Sequence, residues 1–254
     1  MASALASRGA LLRGAIGLAL FLGLWELVPR AGLAPPTLLP APSMLPAAFL
    51  REFNSGIWQT SVVLSLGHYI VGLACGVGAG VCLGVGTGLW GWFEETLAWV
   101  VRVLRPIPGL AWVPFAILWF GVEQAAAVFI IAVGVFWIVF FAAQGAIRGV
   151  DRDLVELAEA FGFRSAREKL VKVLLPAAAP GILVGVRTAL GQAWMAVVAA
   201  ELFGVAGLGQ RMNQASSLLA TDIVVVYMLT MAALYGIVDT LFVAAQSRLL
   251  AWKA

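Results

Sequence analysis

Charge is scarce in this sequence. Asp, Glu, Lys and Arg together make up 11% of its 254 residues and 62% are hydrophobic, whereas a soluble domain carries roughly 25% charged residues. That balance excludes an ordinary water-soluble domain. Histidine occurs once, at His68, and cysteine twice, at Cys75 and Cys82. A metal site of His/Cys type has too few ligands, and the two cysteines, inside one apolar stretch, read as reduced packing residues. Lysine occurs three times and never after glycine, so the G-x-x-x-x-G-K-[ST] phosphate loop is missing. The chain is not expected to hydrolyse ATP. No nucleophile–base pair or metal-spaced acidic set stands out, so catalytic residues and a resident cofactor are expected to be absent. The net charge of +3 points to no nucleic-acid partner, because the basic residues are distributed by membrane topology.

What the sequence has instead is apolar length. Runs of about 20 apolar residues cross a bilayer, and six are present, at 10–28, 61–86, 97–120, 125–145, 181–203 and 223–247. The fold class is therefore all-α, a polytopic membrane bundle of six helices. The first run follows Arg8 and Arg13 as a signal peptide would, but no small-x-small cleavage site follows it, and an uncleaved anchor is expected. Basic residues set the orientation. With both termini in the cytoplasm, thirteen of the sixteen Lys and Arg fall inside, and only Arg30, Arg51 and Arg211 fall outside.

Punctuation along the chain adds detail. Six of the eleven prolines lie between Pro29 and Thr60, predicting an extended outer collar and then a short helix near 44–53. The second run carries Gly72, Gly76, Gly80, Gly84 and Gly88, a four-residue ladder that suits close helix packing in lipid; a pathway wall is the alternative. Pro106, Pro108 and Pro114 interrupt the third run. Backbone groups freed at membrane depth must be satisfied by protein or water, so the run is either a broken helix lining a route or a kinked packing helix. His68 is expected to be a hydrogen-bonded interfacial residue rather than a ligand.

Intramembrane charges are costly and usually pair. Arg187 and Asp239 sit at matching depth on antiparallel runs, predicting a structural ion pair. Glu201, Arg211 and Asp222 share a depth near the outer face, around Gly204-Val-Ala-Gly-Leu-Gly209, and are expected to tie that turn down. Thr188, Gln192 and Trp194 are candidates for a translocation wall, with packing inside the bundle as the other reading.

The charge that does exist is concentrated. Between Arg148 and Lys172 lie eleven of the 29 charged residues. Asp153 with Glu156 has capping-box spacing. Leu154, Leu157, Ala158 and Phe161 then form one apolar face over two turns, and Gly162 supplies a left-handed stop. Ser165 with Glu168 repeats the capping spacing, starting a second helix that runs to Leu175 and is broken by Pro176. Isolated helices this short are marginal in water. Their apolar faces need a surface, either the chain and lipid headgroups around them or a partner protein.

Glu156-Leu-Ala-Glu-Ala-Phe-Gly162 followed by Val173-Leu-Leu-Pro176 resembles the E-A-A-x3-G…I-x-L-P signature of membrane subunits of binding-protein-dependent ABC importers. Residues from Pro176 to Arg187 and from Trp194 to Leu202, with Gly207-Leu-Gly209, Asp222, Gly236-Ile-Val-Asp239, Leu39-Pro-Ala-Pro42 and Pro106 to Pro114, are similar to the branch importing aliphatic sulfonates, taurine and nitrate. Two departures stand out: Leu157 replaces the middle alanine, and the gap from Gly162 to Pro176 is one residue longer than usual. The resemblance implies a MetI-like permease fold in the bacterial inner membrane, with 1–254 as one transmembrane domain and 148–176 as its cytoplasmic coupling loop. It implies that Glu156, Leu157, Ala158, Glu159, Ala160, Phe161 and Gly162 contact a cytoplasmic ATPase. It also implies a homodimer with two ATPase subunits that bind ATP and Mg, and an extracytoplasmic solute-binding protein. An autonomous secondary transporter or channel is the rival; it would favour inverted repeats or proton relays, and no repeat between the halves is evident.

Overall fold

The structure, a computed structural model, describes residues 2–163 and 165–253 without the side chains of 2–11 and 253, so Arg164 and the side chains of Arg8 and Lys253 lie outside the described residues. The chain forms helices α1 (Ala2–Arg30), α2 (Leu45–Asn54), α3 (Ile57–Leu89), α4 (Gly91–Leu104), α5 (Val113–Phe120), α6 (Gln124–Arg148), α7 (Arg152–Ala160), α8 (Ala166–Lys169), α9 (Leu175–Leu202), α10 (Leu208–Ser217) and α11 (Thr221–Leu249). No strand occurs among the described residues. Five helical runs are long and apolar enough to cross a membrane: Leu12–Arg30, Ile57–Leu89, Gln124–Arg148, Ala166–Leu202 and Thr221–Leu249. The bent pair Gly91–Leu104 and Gly109–Phe120, whose arms meet at 83°, is a broken sixth span or a re-entrant loop. The third expected run is thus a broken helix. Two compact units divide the chain, one of Met1–Thr60 with Arg211–Met231 and one of Ser61–Gln210 with Ala232–Ala254.

In the second unit the glycine ladder is a packing surface. A Cβ on Gly72 would meet Ile131 at 2.6 Å, on Gly76 Val135 at 2.2 Å, on Gly80 Val139 at 2.9 Å, on Gly84 Ala143 at 2.9 Å and on Gly88 Ile147 at 2.9 Å. Lipid supplies no hydrophobic drive between helices, so contact at backbone distance has to provide the attraction. Each partner on α6 lies 59 positions beyond its glycine, so α3 and α6 run parallel in one register.

That register constrains the segment between them. Gln124, where α6 begins, is level with Ser65, while α3 continues to Leu89. At 1.5 Å per residue the chain must come back about 36 Å before α6 can start. α4 and α5 make the return. The corner between them carries Pro106 and Pro108, and its Gly109 stands so close to Gly134 that a Cβ would be 2.9 Å from the Gly134 Cα. α6 also packs against α9, again small on small: Gly181 lies over Ala146 and Gly185 over Ala142, where a Cβ on Gly185 would come within 2.1 Å.

In the first unit the proline-rich collar is pinned at both ends. The Trp25 indole donates to the Pro40 carbonyl at 3.0 Å, and Ser43 donates its amide and hydroxyl to Glu26 at 3.0 and 2.7 Å. The short helix expected near 44–53 is α2, preceded by a 3-10 turn at Pro42–Met44. Its Leu45 and Ala48 pack with Val226, Trp25, Phe49 and Ile223.

Candidate functional site

The charged segment folds as a corner of two short helices, with one correction at its start. Asp151, not Asp153, is the N-cap of α7; its carboxylate accepts from the Asp153 amide at 3.0 Å. Asp153 sits in the first helical turn, where its charge still favours the helix dipole. At the other end the Phe163 amide bonds the Ala158 carbonyl and the Gly162 amide the Glu159 carbonyl, both at 3.0 Å. With Gly162 at φ +95, this is the Schellman stop, which needs a residue free to be left-handed. Ser165 caps α8, accepting from the Glu168 amide at 3.1 Å and donating to its carboxylate at 2.9 Å. Lys169 closes the corner on Glu159 at 2.7 Å, and that ammonium holds the Glu159 carboxyl below its usual range.

The expected apolar face of α7 divides between two roles. Ala158 is buried against the chain itself, while Leu154, Leu157 and Phe161 are 46%, 54% and 76% exposed. Glu156, Glu159, Ala160 and Gly162 also lie open.

Pro176 does not break the second helix. α8 runs into a π-helical turn at Leu170–Leu174 and then into α9, making one continuous run from Ala166 to Leu202. The Leu175 amide bonds back to the Leu170 carbonyl, an i→i−5 bond. A π-turn accommodates one residue more than an α-turn, which is where the longer spacing from Gly162 to Pro176 is absorbed. Pro176 then falls in the first turn of α9, where the absence of an N–H is tolerated.

Midway along α9, Arg187 meets Asp239 of α11 in a two-pronged pair, Nε to Oδ1 and Nη2 to Oδ2, both at 2.9 Å. The pair is not enclosed: the Arg187 side chain is 50% exposed and that of Asp239 27%. Thr188 is exposed on the same side of α9, and Gln192 lies one turn along, half-buried. Trp194 stands apart from them. It is buried, edge-on to Tyr69 with ring centroids 5.1 Å apart.

Near the C-terminal end of α9 the sequence pattern had located one carboxylate but not its partners. Glu201 is fully buried. It accepts from the Ser65 hydroxyl at 2.7 Å and the Gly209 amide at 2.8 Å, and it faces His68 Nδ1 at 3.1 Å. Ser65 also accepts from the Leu208 amide at 2.9 Å. Glu201 thus ties the 204–209 turn to α3. Gly207 leaves room for it, since a Cβ there would lie 2.2 Å from the carboxylate. Arg211 and Asp222 belong to other pairs, with Glu52 and Arg51 of α2. A buried acid at bilayer depth needs donors, and a lone histidine and serine on an apolar run were the available signal. No group of three or more potential metal ligands occurs among the described residues.

An all-helical bundle with broken and close-packed spans, and a capped, charged corner continuous with one of them, defines a membrane permease subunit. Residues 76–251 match the family described as binding-protein-dependent transport system inner membrane component, and the chain belongs to that family. It is 34% identical to the aliphatic sulfonates transport permease SsuC of Escherichia coli K12 over 217 residues, 85% of this chain and 82% of that one. It is 30% identical to the taurine transport permease TauC of the same organism, over 92% of this chain and 87% of the other. In fold it resembles a membrane chain of the inward-facing MetNI methionine ABC transporter, with a TM-score of 0.64 at 22% identity over 79% of this chain and 98% of that chain. This chain is therefore the permease subunit of an ABC importer, and ATP hydrolysis resides in a separate subunit.

Proposed function

We propose that residues 1–254 act as one permease domain, paired with a second copy of itself in a bacterial inner membrane with both termini cytoplasmic. Two cytoplasmic ATPase subunits, which bind ATP and Mg, and an extracytoplasmic solute-binding protein complete the importer. The solute is a small oxyanion: a sulfonate or taurine, as the names of the relatives suggest, or nitrate, as the motif resemblance implies. Residues 148–176 are the coupling segment. The observation that carries this reading is the continuity of the α7–α8 corner with α9. Leu154, Leu157 and Phe161 form an uncovered apolar face, and the helix behind them runs unbroken for 37 residues from Ala166 to Leu202. At 1.5 Å per residue that rod is about 55 Å long. A push on the corner from a closing ATPase pair is delivered along one helix to the depth of Thr188 and Gln192.

The test is reconstitution into vesicles with and without the cognate ATPase and binding protein. Uptake is expected only with both and with ATP; uptake without an ATPase would sink the reading. Within the same system Gly162→Asp is expected to leave the permease inserted while weakening ATPase binding at least tenfold. A non-glycine residue in the left-handed region costs roughly 1–3 kcal/mol, and the new carboxylate sits on the docking corner. Stable, coupled binding by this variant would remove the corner from the coupling role.

A further inference from the structure

We propose that the free edge of the Arg187 guanidinium is the site where the anionic group of the solute is held in transit, with Asp239 as a built-in counterion. This rests on the oxyanion reading above. A guanidinium carries five N–H donors in one plane. Asp239 takes one on Nε and one on Nη2, at 2.9 Å each. The other three, two on Nη1 and one on Nη2, lie along the edges turned away from Asp239. The side chain is 50% exposed, and among the described residues Arg187 makes no hydrogen bond beyond those two.

Comparison with the other deep carboxylate separates a site from a tie. Glu201 is fully buried, and two donors and His68 face its oxygens. Arg187 is half open with most of its donors unspent. At bilayer depth a charge is stable only against water, protein or a counterion; Asp239 supplies the counterion, and the exposed edge of Arg187 is open to water or to a solute.

The surroundings suit an oxyanion. α9 and α11 run antiparallel, and the register that joins Arg187 to Asp239 also brings Gly191 to Tyr235. A Cβ on Gly191 would lie 3.4 Å from the Tyr235 hydroxyl, an ordinary contact, which sets the phenol against α9 one helical turn from the pair. Thr188 spends its hydroxyl hydrogen on the Val184 carbonyl at 3.1 Å. The donors left for a solute on this face are therefore Arg187, the Tyr235 hydroxyl and, one turn along, the half-buried Gln192 amide.

Asp239 makes the grip weak. A planar fork matches two oxygens of a carboxylate, and equally of a sulfonate or nitrate. With one edge already neutralised, the anion is recognised but not trapped, and a transport site must bind weakly enough to release. For taurine, which carries an ammonium as well, Asp239 offers the opposite pole.

The experiment is uptake of labelled taurine and ethanesulfonate by the full importer in vesicles, alongside ATP hydrolysis stimulated by the binding protein. The double variant Arg187→Gln with Asp239→Asn keeps a neutral, hydrogen-bonded pair. It is expected to lower uptake of both anions at least tenfold while stimulated hydrolysis stays within about twofold, the loss of a charge-assisted fork being worth a factor of that order. Uptake at wild-type rate would show that the pair is only a tie, and would overturn the inference. Should the double variant fail to assemble, Arg187→Lys keeps the charge and loses the fork. Its expected mark is uptake of both sulfonates lowered severalfold with stimulated hydrolysis within about twofold; uptake of both at wild-type rate overturns the inference. If the wild-type importer moves neither anion, the substrate reading fails and takes this inference with it.

Discussion

Glu52 shows how a single carboxylate in a charge-poor chain is made useful. It is buried on α2, and it accepts from Arg211 Nε and Nη2 at 2.9 and 2.7 Å and from the Tyr227 hydroxyl at 2.8 Å. Arg211, and then Tyr227, hold its carboxyl below the ordinary value of 4.5 despite burial. Because the folded-state value lies below the unfolded one, the stabilisation is complete above about pH 4.5 and is lost as pH falls through the folded value. The thermal midpoint of the detergent-solubilised protein is therefore expected to drop steeply below that pH, and Glu52→Gln is expected to flatten the drop from a lower plateau. A wild-type profile as flat as the variant's would contradict this role. Arg211→Ala, which leaves a buried charge unpaired, is expected to cost about 3 kcal/mol at neutral pH. None of this was visible from the sequence. Depth along a helix placed Arg211 and Asp222 beside Glu201, but depth carries no azimuth, and their partners Glu52 and Arg51 lie more than 150 positions away. The Arg187–Asp239 contact was legible because two apolar runs offered one cation and one anion at the same level.

At the scale of the element, local chemistry was read well and its continuation poorly. Ser165 with Glu168 and the glycine stop at Gly162 are local devices, and they stand in the structure as the spacing predicts. The cap of α7 shifts to Asp151 although only Asp153 has a glutamate three residues on; backbone geometry and not the spacing selects the cap. Pro176 departs from expectation for a different reason: the π-turn at Leu170–Leu174 places it in the first turn of α9, where a missing N–H is tolerated. The turn also fixes direction. Deleting Val171 would turn the π-turn into an α-turn and rotate the α7–α8 corner by about 100° relative to α9, one residue's share of the helical turn. The expected result is a permease that inserts and unfolds like the wild type but whose uptake no longer follows ATP hydrolysis. If the deletion variant stays coupled, the corner is held by its docking partner and not by the helix behind it.

For the whole molecule the question is how the bent pair α4–α5 contributes to the count of crossings. An apolar run of the right length cannot distinguish a crossing from a re-entrant loop, and the 83° corner at residues 105–108 satisfies both descriptions locally. The register of the glycine ladder decides between them. α3 and α6 lie side by side and parallel, with Gly72 on Ile131 at one end and Gly88 on Ile147 at the other, so the segment from Trp90 to Glu123 starts at one end of the pair and finishes at the other. The sequence held that information in the spacing of the glycines, but not the identity of the helix they face. Cys75 and Cys82 are the only cysteines, so a cysteine-free background needs two substitutions. In that background Gly91→Cys is expected to react with a membrane-impermeant thiol reagent from the side that also labels Arg152→Cys, and Glu123→Cys only from the opposite side. Labelling of positions 91 and 123 from one side would make α4–α5 re-entrant, reduce the crossings to five and place the termini on opposite faces. The parallel packing of α3 on α6 would then have to be wrong as well, because no chain re-entering on one face can deliver α6 to the other.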